Sequence, residues 1–405
     1  MAEMRSQESK NTVDGEPTAG GAKQKIAVVG GSAAGYFAAS LLARKGLSVR
    51  VFERNETLNP LPRTLIVTHR MRNILGAAGE SSVVNEIRRF EIFTDGRFAT
   101  VPLKNPDLII ERSKLIRGLA EEAQAAGADI EFGKRFHSLQ PNSRGLALEI
   151  ERCSDGVREE VHAGTVIGGD GATTRVGRAA GWEPVRTVPL MQAIVKLPKD
   201  VAQDTSRVWF VPQDTPYFYW LVPESATRGA LGVIGESGPA MRRAFEQFLE
   251  RKGFEPIEFQ GARIPVYSRW IPVHRRLGDG SVYLVGDAAG QVKVTTVGGI
   301  VTGLRGAMGV AEAILNGGPS RELRALRREL DLHLLLRRTM HEFRQADYSR
   351  MVDLLNDSTM RSLAAYSRDE AWKVLSRVCF RQPIFLWLGL RGLLTSRRPI
   401  APPRP

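Results

Sequence analysis

The sequence predicts an α/β protein: a Rossmann-like dinucleotide-binding domain with a parallel sheet, an antiparallel-sheet domain and a helical C-terminal region. Three observations predict this fold class. A strand–turn–helix–strand pattern fills 25–54, short alternating segments separated by turn signals fill 183–271, and apolar residues recur at helical spacing after 319. The 405 residues are enough for two or three domains, and 42% hydrophobic residues suit a globular core.

The glycine-rich turn at 30–35 has the form of a phosphate-binding turn. It follows an apolar strand at 26–29 and opens a helix over 36–45, and a second strand at 47–52 ends before an acidic residue. The glycines let the backbone approach a pyrophosphate at the positive end of the helix, although serine stands at the second glycine position of the strict pattern. The unit predicts an adenine dinucleotide site, whose candidate residues are Gly30, Gly31, Ser32, Ala34, Gly35, Glu53 and Arg54.

The next segment is predicted to leave this unit and then return to it. Asp95-Gly96 is a strong hairpin signal between strands at 91–94 and 98–103, which belong to another sheet. A buried strand at 108–112, a helix at 113–126 capped by Ser113 and a strand at 129–132 are predicted as a third βα step of the parallel sheet.

Two later strand ends carry an aspartate among glycines. Asp170 follows the strand that ends at Gly168, where its carboxylate can accept hydrogen bonds from a ribose or can simply cap a turn. Asp287 follows a buried strand at 282–285 and can hold a polyol hydroxyl. A helix then begins near Gly298-Gly299-Ile300, and its positive end favours the negative charge of a reduced flavin ring.

Residues 183–271 predict a twisted antiparallel sheet, interrupted by a helix near 239–251, as a second, substrate-binding domain. Phe218 and Trp220 lie two residues apart and therefore on one face of this sheet. Both a plain core and a substrate wall remain open for this pair. With Pro223 they are the candidate residues of a substrate pocket.

In this order and at these spacings the three stretches resemble the FAD-dependent family that includes para-hydroxybenzoate hydroxylase and, more closely, the geranylgeranyl reductases, over most of 25–316. Trp220 and Pro223 match the reductases' Y-x-W-x-F-P strand, with Phe218 and Val222 at the other two places. The resemblance implies that Gly30, Gly35 and Glu53 hold the ADP half of FAD, that Arg112 lies near the cofactor, that Asp170-Gly171 is the family's middle element, and that Gly286-Asp287 binds the ribitol.

The resemblance also implies the chemistry. We expect FAD, reduced by NAD(P)H, to reduce carbon–carbon double bonds of a hydrophobic, isoprenoid or lipid-like substrate. Leu61-Pro62-Arg63-Thr64 replaces the cysteine–glycine loop of the archaeal reductases, so hydroxylation of an aromatic or polyketide-like substrate stays open. Halogenation, with Lys104 carrying halide, and a non-catalytic flavin sensor are further alternatives. We find no metal spacing among the six histidines, and His69, His274 and His333 are expected at the surface or at caps.

The predicted organisation places a disordered extension at 1–24 and divides the FAD-binding domain between 25–182 and 272–318. The segment 58–105 is expected to join the substrate domain at 183–271, and 319–405 forms the helical region. The net charge of +13 is concentrated in this last region. There an apolar run at 384–390 beside arginines predicts either peripheral membrane contact or packing on the substrate domain. Cys153 and Cys379 are too few for a disulfide framework. We expect a cytoplasmic protein that binds no nucleic acid, and the sequence leaves its oligomeric state undefined.

Overall fold

The computed structural model describes residues 25–356 together with 359, 360, 366, 368–370, 372, 373, 376, 377 and 380. The strands in this part of the chain are β1 (Lys25–Val29), β2 (Ser48–Phe52), β3 (Thr64–Val67), β4 (Val83–Thr94), β5 (Arg97–Glu111), β6 (Asp129–Glu131), β7 (Lys134–Asn142), β8 (Gly145–Arg152), β9 (Arg158–Ala163), β10 (Thr165–Gly168), β11 (Thr187–Lys196), β12 (Thr205–Trp209), β13 (Tyr219–Pro223), β14 (Arg228–Ile234), β15 (Pro256–Pro265), β16 (His274–Leu277) and β17 (Gly280–Leu284). The α-helices are α1 (Ala33–Ala43), α2 (Arg70–Leu75), α3 (Ala77–Glu80), α4 (Arg112–Ala125), α5 (Arg175–Ala179), α6 (Gly238–Lys252), α7 (Ile300–Asn316), α8 (Arg321–His341) and α9 (Gln345–Asp353).

The first sheet has the strand order β16-β17-β10-β1-β2-β6 and is parallel except for the β16–β17 pair. The apolar residues of β1 are almost fully buried, and α1 packs against both α4 and α7. In the register of the sheet, Val29 pairs with Gly168 and Gly168 pairs with Leu284. Because parallel strands end at the same edge, the turns after β1, β10 and β17 lie side by side.

The second sheet has the order β15-β11-β14-β13-β12-β4-β5-β3. Its pairs are antiparallel except where β4 runs parallel to β12. The predicted hairpin joins β4 to β5 through Asp95 and Gly96, whose φ angles of 45° and 76° are those that a tight hairpin turn requires. Helix α6 covers one face of the sheet with Phe245 and Phe248, which pack against β13 and β14. The predicted antiparallel sheet is therefore present.

A third sheet, β7-β8-β9, is an antiparallel meander that the sequence-based prediction does not contain. Its residues Leu146, Leu148 and Ile150 are fully buried and join the core of the first sheet. This small sheet therefore extends the dinucleotide-binding half of the molecule.

Two predictions around residue 110 are wrong. Residues 108–112 do not form a strand of the parallel sheet, since β5 is one strand of 15 residues whose end pairs antiparallel with β3. The N-cap of α4 is Glu111 and not Ser113, because the Glu111 carboxylate accepts from the backbone N–H groups of Ser113 and Lys114, both at 3.0 Å. Strand β5 of the antiparallel sheet therefore continues directly into α4, which packs on the parallel sheet.

Several expectations fall on parts of the chain that the structure does not describe. The extension at 1–24, the apolar run at 384–390 and Cys379 lie outside the described residues. Helices α8 and α9 agree with the helical pattern predicted after 319. None of the described helices combines the length and apolar character needed to cross a membrane.

Candidate functional site

The turn after β1 is a bare surface of backbone. Gly30 has a φ of 101°, and a Cβ there would lie 2.7 Å from Cα of Asp170. The N–H of Gly31 donates to Oε2 of Glu53 at 2.7 Å, and Oε1 of Glu53 accepts from the N–H of Asn55 at 2.9 Å. A side chain at Gly30 or Gly31 would collide with the Asp170 backbone or with Tyr36 and Glu53, so both positions require glycine.

Ser32 has a structural reason to replace glycine in this turn. Its φ of −98° and ψ of 167° are ordinary extended values, so the backbone does not require glycine. Its hydroxyl accepts from the N–H of Gly35 at 3.1 Å and so caps α1. Ala34 is buried, and Gly35 packs against the carbonyl of Gly30. The cap fixes the end of α1 that faces the edge of the sheet.

Two predicted cofactor-binding residues, Asp170 and Arg54, have side chains in surroundings that differ from the expected ones. The Asp170 carboxylate accepts from the Thr174 hydroxyl at 2.5 Å and from the Arg175 and Val176 N–H groups at 2.6 and 3.1 Å. It is thus the capped turn that the sequence left open, and its backbone is what lies against Gly30. The Arg54 side chain is exposed.

Asp287 is the charged centre of the opposite end of the site. It lies in the short 3-10 turn Gly286–Ala289 that follows β17, surrounded by protein yet accessible to solvent from the cleft. Burial raises the pKa of the Asp287 carboxyl, and the guanidinium groups of Arg112 and Arg63 oppose this shift. Arg112 and Arg63 therefore lie close enough to Asp287 to interact with its charge.

The loop between Asp287 and α7 is held tightly. The Lys293 N–H donates to Gly298 O at 3.1 Å, and the Val297 N–H donates to Lys293 O at 2.7 Å. Val297 has a φ of 53°, a left-handed conformation that is strained for a β-branched residue. Gly299 is the N-cap of α7, and a Cβ at Gly299 would lie 3.2 Å from Oδ1 of Asp287. The helix begins at Ile300, as predicted, with its first N–H groups beside Asp287.

A cavity of about 560 Å³ separates this loop from the second sheet. Phe218 and Trp220 line it together, with ring centroids 6.0 Å apart, so the pair is a cavity wall and not only core. Pro223 is buried but does not line the cavity, and Lys104 is exposed outside it. The other apolar lining residues are Leu65, Ile66, Val67, Phe90, Ile92, Val101, Leu103, Leu190, Val208, Phe210, Val222, Ile234, Leu336, Met340, Met351 and Leu355, together with the loop and helix start at 295–301. The polar lining residues outside 295–301 are Arg63, Thr64, Thr68, Gln192, Ser206, Lys293, Thr359 and Tyr366.

The polar groups around this loop are not among the residues predicted from the sequence. His333 on α8 is only 4% exposed, which contradicts its predicted surface position, and its Nδ1 lies 2.6 Å from Oγ1 of Thr295. Lys293 is equally buried and forms ion pairs with Glu329 and Asp369. A lysine and two threonines within an otherwise small-residue loop were the available signal. Their helix partners could not be identified without the tertiary structure.

The residues present fit an extended dinucleotide. Side-chain-free backbone at Gly30 and Gly31, a carboxylate at the end of β2, the Asp287 carboxylate and the α7 N-terminus follow one another along a single edge of the parallel sheet. The phenol oxygen of Tyr36, which is buried and has no hydrogen-bond partner, lies against the Gly31 position. The fold and this site together define an FAD-binding flavoprotein.

Comparison with known proteins agrees with this class. The model of the FAD binding domain family matches residues 23–317. A digeranylgeranylglycerophospholipid reductase of Methanothermobacter thermautotrophicus is 30% identical over 312 residues, covering 69% of this chain and 74% of the relative. The geranylgeranyl diphosphate reductase of Rhodobacter capsulatus is 29% identical, covering 74% and 78%. The chain therefore belongs to the geranylgeranyl reductase family of FAD-dependent oxidoreductases.

A solved structure supports the fold independently. The geranylgeranyl bacteriochlorophyll reductase-like protein of Thermoplasma acidophilum superposes with a TM-score of 0.74 over 92% of this chain and 99% of its own, at 18% identity. The predicted fold class, the FAD cofactor and the reductase resemblance are confirmed.

Proposed function

We propose that this protein reduces carbon–carbon double bonds of an isoprenoid or lipid-like substrate, with NAD(P)H as the electron donor. The observation that carries the proposal is the apolar cavity of about 560 Å³, because it is lined on one side by the loop and first turn of α7 and on the other by Trp220 and its sheet. Bound FAD supplies hydride transfer. The cavity excludes water and holds the hydrocarbon chain of the substrate against the loop.

We assign the cofactor contacts in two groups. The turn formed by Gly30, Gly31, Ser32, Ala34 and Gly35 receives the pyrophosphate, and Glu53 beside Arg54 receives the ribose of the ADP half. Asp287 accepts from the ribitol, Arg112 neutralises nearby negative charge, and Gly298, Gly299 and Ile300 place the α7 N-terminus at the ring. Residues 25–182 and 272–318 act as the FAD-binding domain, and 183–271 with 58–105 act as the substrate domain.

The relatives favour reduction as the reaction. Two relatives are named as reductases of geranylgeranyl-bearing compounds, and this chain aligns with about three quarters of the length of each. Lys104, the lysine considered for halide activation, is exposed and does not line the cavity, which argues against halogenation through that residue.

The test uses purified holoprotein, geranylgeranyl diphosphate in detergent and NADPH under anaerobic conditions. We expect flavin reduction by NADPH, reoxidation by the alkene and a product that has gained two hydrogens per double bond, detected by mass spectrometry. A product with one added oxygen when air is admitted would identify a monooxygenase instead. Bound FAD without turnover of either kind would point to a flavin sensor. Purified protein that binds no FAD would exclude an FAD-dependent function.

A lipid substrate gives a role to the exposed C-terminal surface. Trp372 and Phe380 are exposed, and the cations of Lys373 and Arg377 lie beside them in sequence. We propose that this basic and aromatic surface contacts an anionic membrane peripherally. Truncation after Ala371 removes all four of these residues and should lower sedimentation with phosphatidylserine vesicles, and unchanged sedimentation would remove this proposal.

A further inference from the structure

Saturating a double bond requires two hydrogens of different origin. FAD held at this site would supply a hydride, with its electron pair, for one carbon, so the other carbon must receive a proton. The proposed reaction therefore needs an acid among the few polar groups of a largely apolar cavity. General acid catalysis of this kind contributes about a hundredfold or more to a rate.

The hydroxyl groups that line the cavity differ in what they bond to. The Thr64 hydroxyl donates to Glu224, the Thr68 hydroxyl donates to Asp369, and the Ser206 hydroxyl donates to the carbonyl of Leu221 at 3.0 Å. These protons are already engaged by acceptors within the protein. Thr296, Thr359 and Tyr366 also line the cavity, and among the described residues none of their hydroxyls bonds to an imidazole. The ammonium group of Lys293 is likewise held between two carboxylates.

Thr295 is different because its partner is an imidazole. Oγ1 of Thr295 lies 2.6 Å from Nδ1 of His333, a short hydrogen bond between two groups that can each donate or accept. When Nδ1 of the ring carries the proton, the threonine oxygen accepts it and its own O–H is released to point elsewhere. Thr295 belongs to the loop that lines the cavity beside the start of α7, whereas His333 lies behind it on α8 and is 4% exposed.

We propose that Thr295 and His333 form the proton relay of the alkene reduction; this inference rests on the proposed function. As one alkene carbon gains the hydride, the Thr295 O–H bond breaks and its proton forms a C–H bond at the neighbouring carbon. The same threonine oxygen takes the Nδ1 proton of doubly protonated His333. His333 is left neutral and regains a proton from solvent after product release. Thr295 is thus a catalytic residue, and His333 acts through it as a positioning residue.

The relay is tested in the oxidative half-reaction. Prereduced holoprotein is mixed with geranylgeranyl diphosphate in the absence of oxygen, and the rate of flavin reoxidation is measured. Thr295→Val should slow flavin reoxidation about a hundredfold, while the dissociation constants for FAD and substrate and the rate of reduction by NADPH stay within about twofold. Thr295→Ser keeps the hydroxyl and should restore most of the rate. His333→Gln should slow the same step without changing substrate affinity. Thr339→Val is the matched control, since that buried threonine on α8 bonds to the Leu335 carbonyl and does not line the cavity.

A second readout does not depend on turnover. In the imidazole nitrogen spectrum of isotope-labelled holoprotein, the signal lost in His333→Gln should shift in Thr295→Val and stay in place in Thr339→Val. Wild-type rates and an unshifted signal in Thr295→Val would overturn the relay and leave the reductase function intact. A wild-type protein that binds FAD but reduces no alkene would overturn both.

Discussion

At the scale of single residues, Gly30 is required for two separate reasons, its backbone conformation and the lack of space for a side chain. Its φ of 101° lies in the region that favours glycine, and the Asp170 backbone occupies the space of a Cβ. Gly30→Ala should therefore lower the free energy of unfolding by roughly 2–5 kcal/mol, from backbone strain and overpacking together. Urea denaturation of the FAD-free protein measures this loss.

Gly46 provides the control for that experiment. It also has a positive φ, 79°, but no atom lies within 4 Å of its Cβ position. Gly46→Ala should cost only about 1 kcal/mol, the strain alone. Equal losses in the two variants would show that the contact with Asp170 contributes nothing.

The proposed contact of Asp287 with FAD connects affinity for the cofactor with stability. Burial raises the pKa of this carboxyl above its unfolded value, so the folded protein binds the proton more tightly and its free energy of unfolding falls as the pH rises through the interval between the two pKa values. Asp287→Asn should therefore stabilise the FAD-free protein near neutral pH and confer no such gain at a pH below both values. The same change should weaken FAD about tenfold or more, since a charged acceptor is lost.

Denaturation at two pH values and titration of the flavin absorbance check the two effects separately. A variant that binds FAD normally would contradict the ribitol assignment, and one that is less stable at neutral pH would contradict the sign of the pKa shift.

Residue-level chemistry was predictable where it depends on neighbours in sequence. The positions of Gly30, Glu53 and Asp287 at the ends of strands could be predicted because each follows a strand within a short pattern. The pairing of Thr295 with His333 could not, because no local pattern reveals which loop faces a given turn of a long helix. The Asp170 carboxylate was ambiguous for a related reason, since a capping aspartate and a ligand-binding aspartate occupy the same place after a strand.

At the scale of elements, α7 and α8 are joined by buried charge. Arg305 on α7 is 3% exposed and forms ion pairs with Glu322 and Glu329 on α8. Arg305→Met should cost about 3–5 kcal/mol, because it leaves two carboxylates at a buried interface without their common cation. Thermal unfolding followed by circular dichroism measures the change.

An exposed pair on the same helix shows what burial adds. Arg327 and Asp331 are 3.5 Å apart, one turn from each other on the surface of α8. Arg327→Met should change stability by less than about 1 kcal/mol. Comparable destabilisation by the two substitutions would show that the buried pairs do not hold α7 to α8.

Whether a segment forms a helix or a strand could be predicted more often than which strand it pairs with. The hairpin at Asp95-Gly96 and helix α6 have local signals, and both are present. The end of β5 has the apolar composition of a buried parallel strand, and only its pairing with β3 places it in the antiparallel sheet. Pairing across distant segments depends on the whole fold, so the sequence near 110 could not determine it.

At the scale of the whole molecule, the cavity exists because the second sheet faces the loop of the first. Val208 lies on β12 and lines this space. Val208→Trp should place a large side chain inside the cavity and raise KM for geranylgeranyl diphosphate at least about tenfold. FAD absorbance should be unchanged, and a short geranyl substrate should be less affected. Equal effects on long and short substrates would argue against the cavity as the chain-binding space.

The interleaving of the two sheets also determines when the protein can acquire its cofactor during synthesis. Ile26 in β1 pairs with Thr165 in β10, and β10 must in turn wait for β17, while the strands of the second sheet are made in between. Ribosomes add about 5–20 residues per second, and contacts between distant segments form slowly. The nascent chain therefore carries the glycine turn long before Asp287 and α7 emerge. With Asp287 and α7 as the proposed cofactor contacts, we expect FAD to be captured only after nearly the whole of both sheets has been made, as a late event in the maturation of this protein.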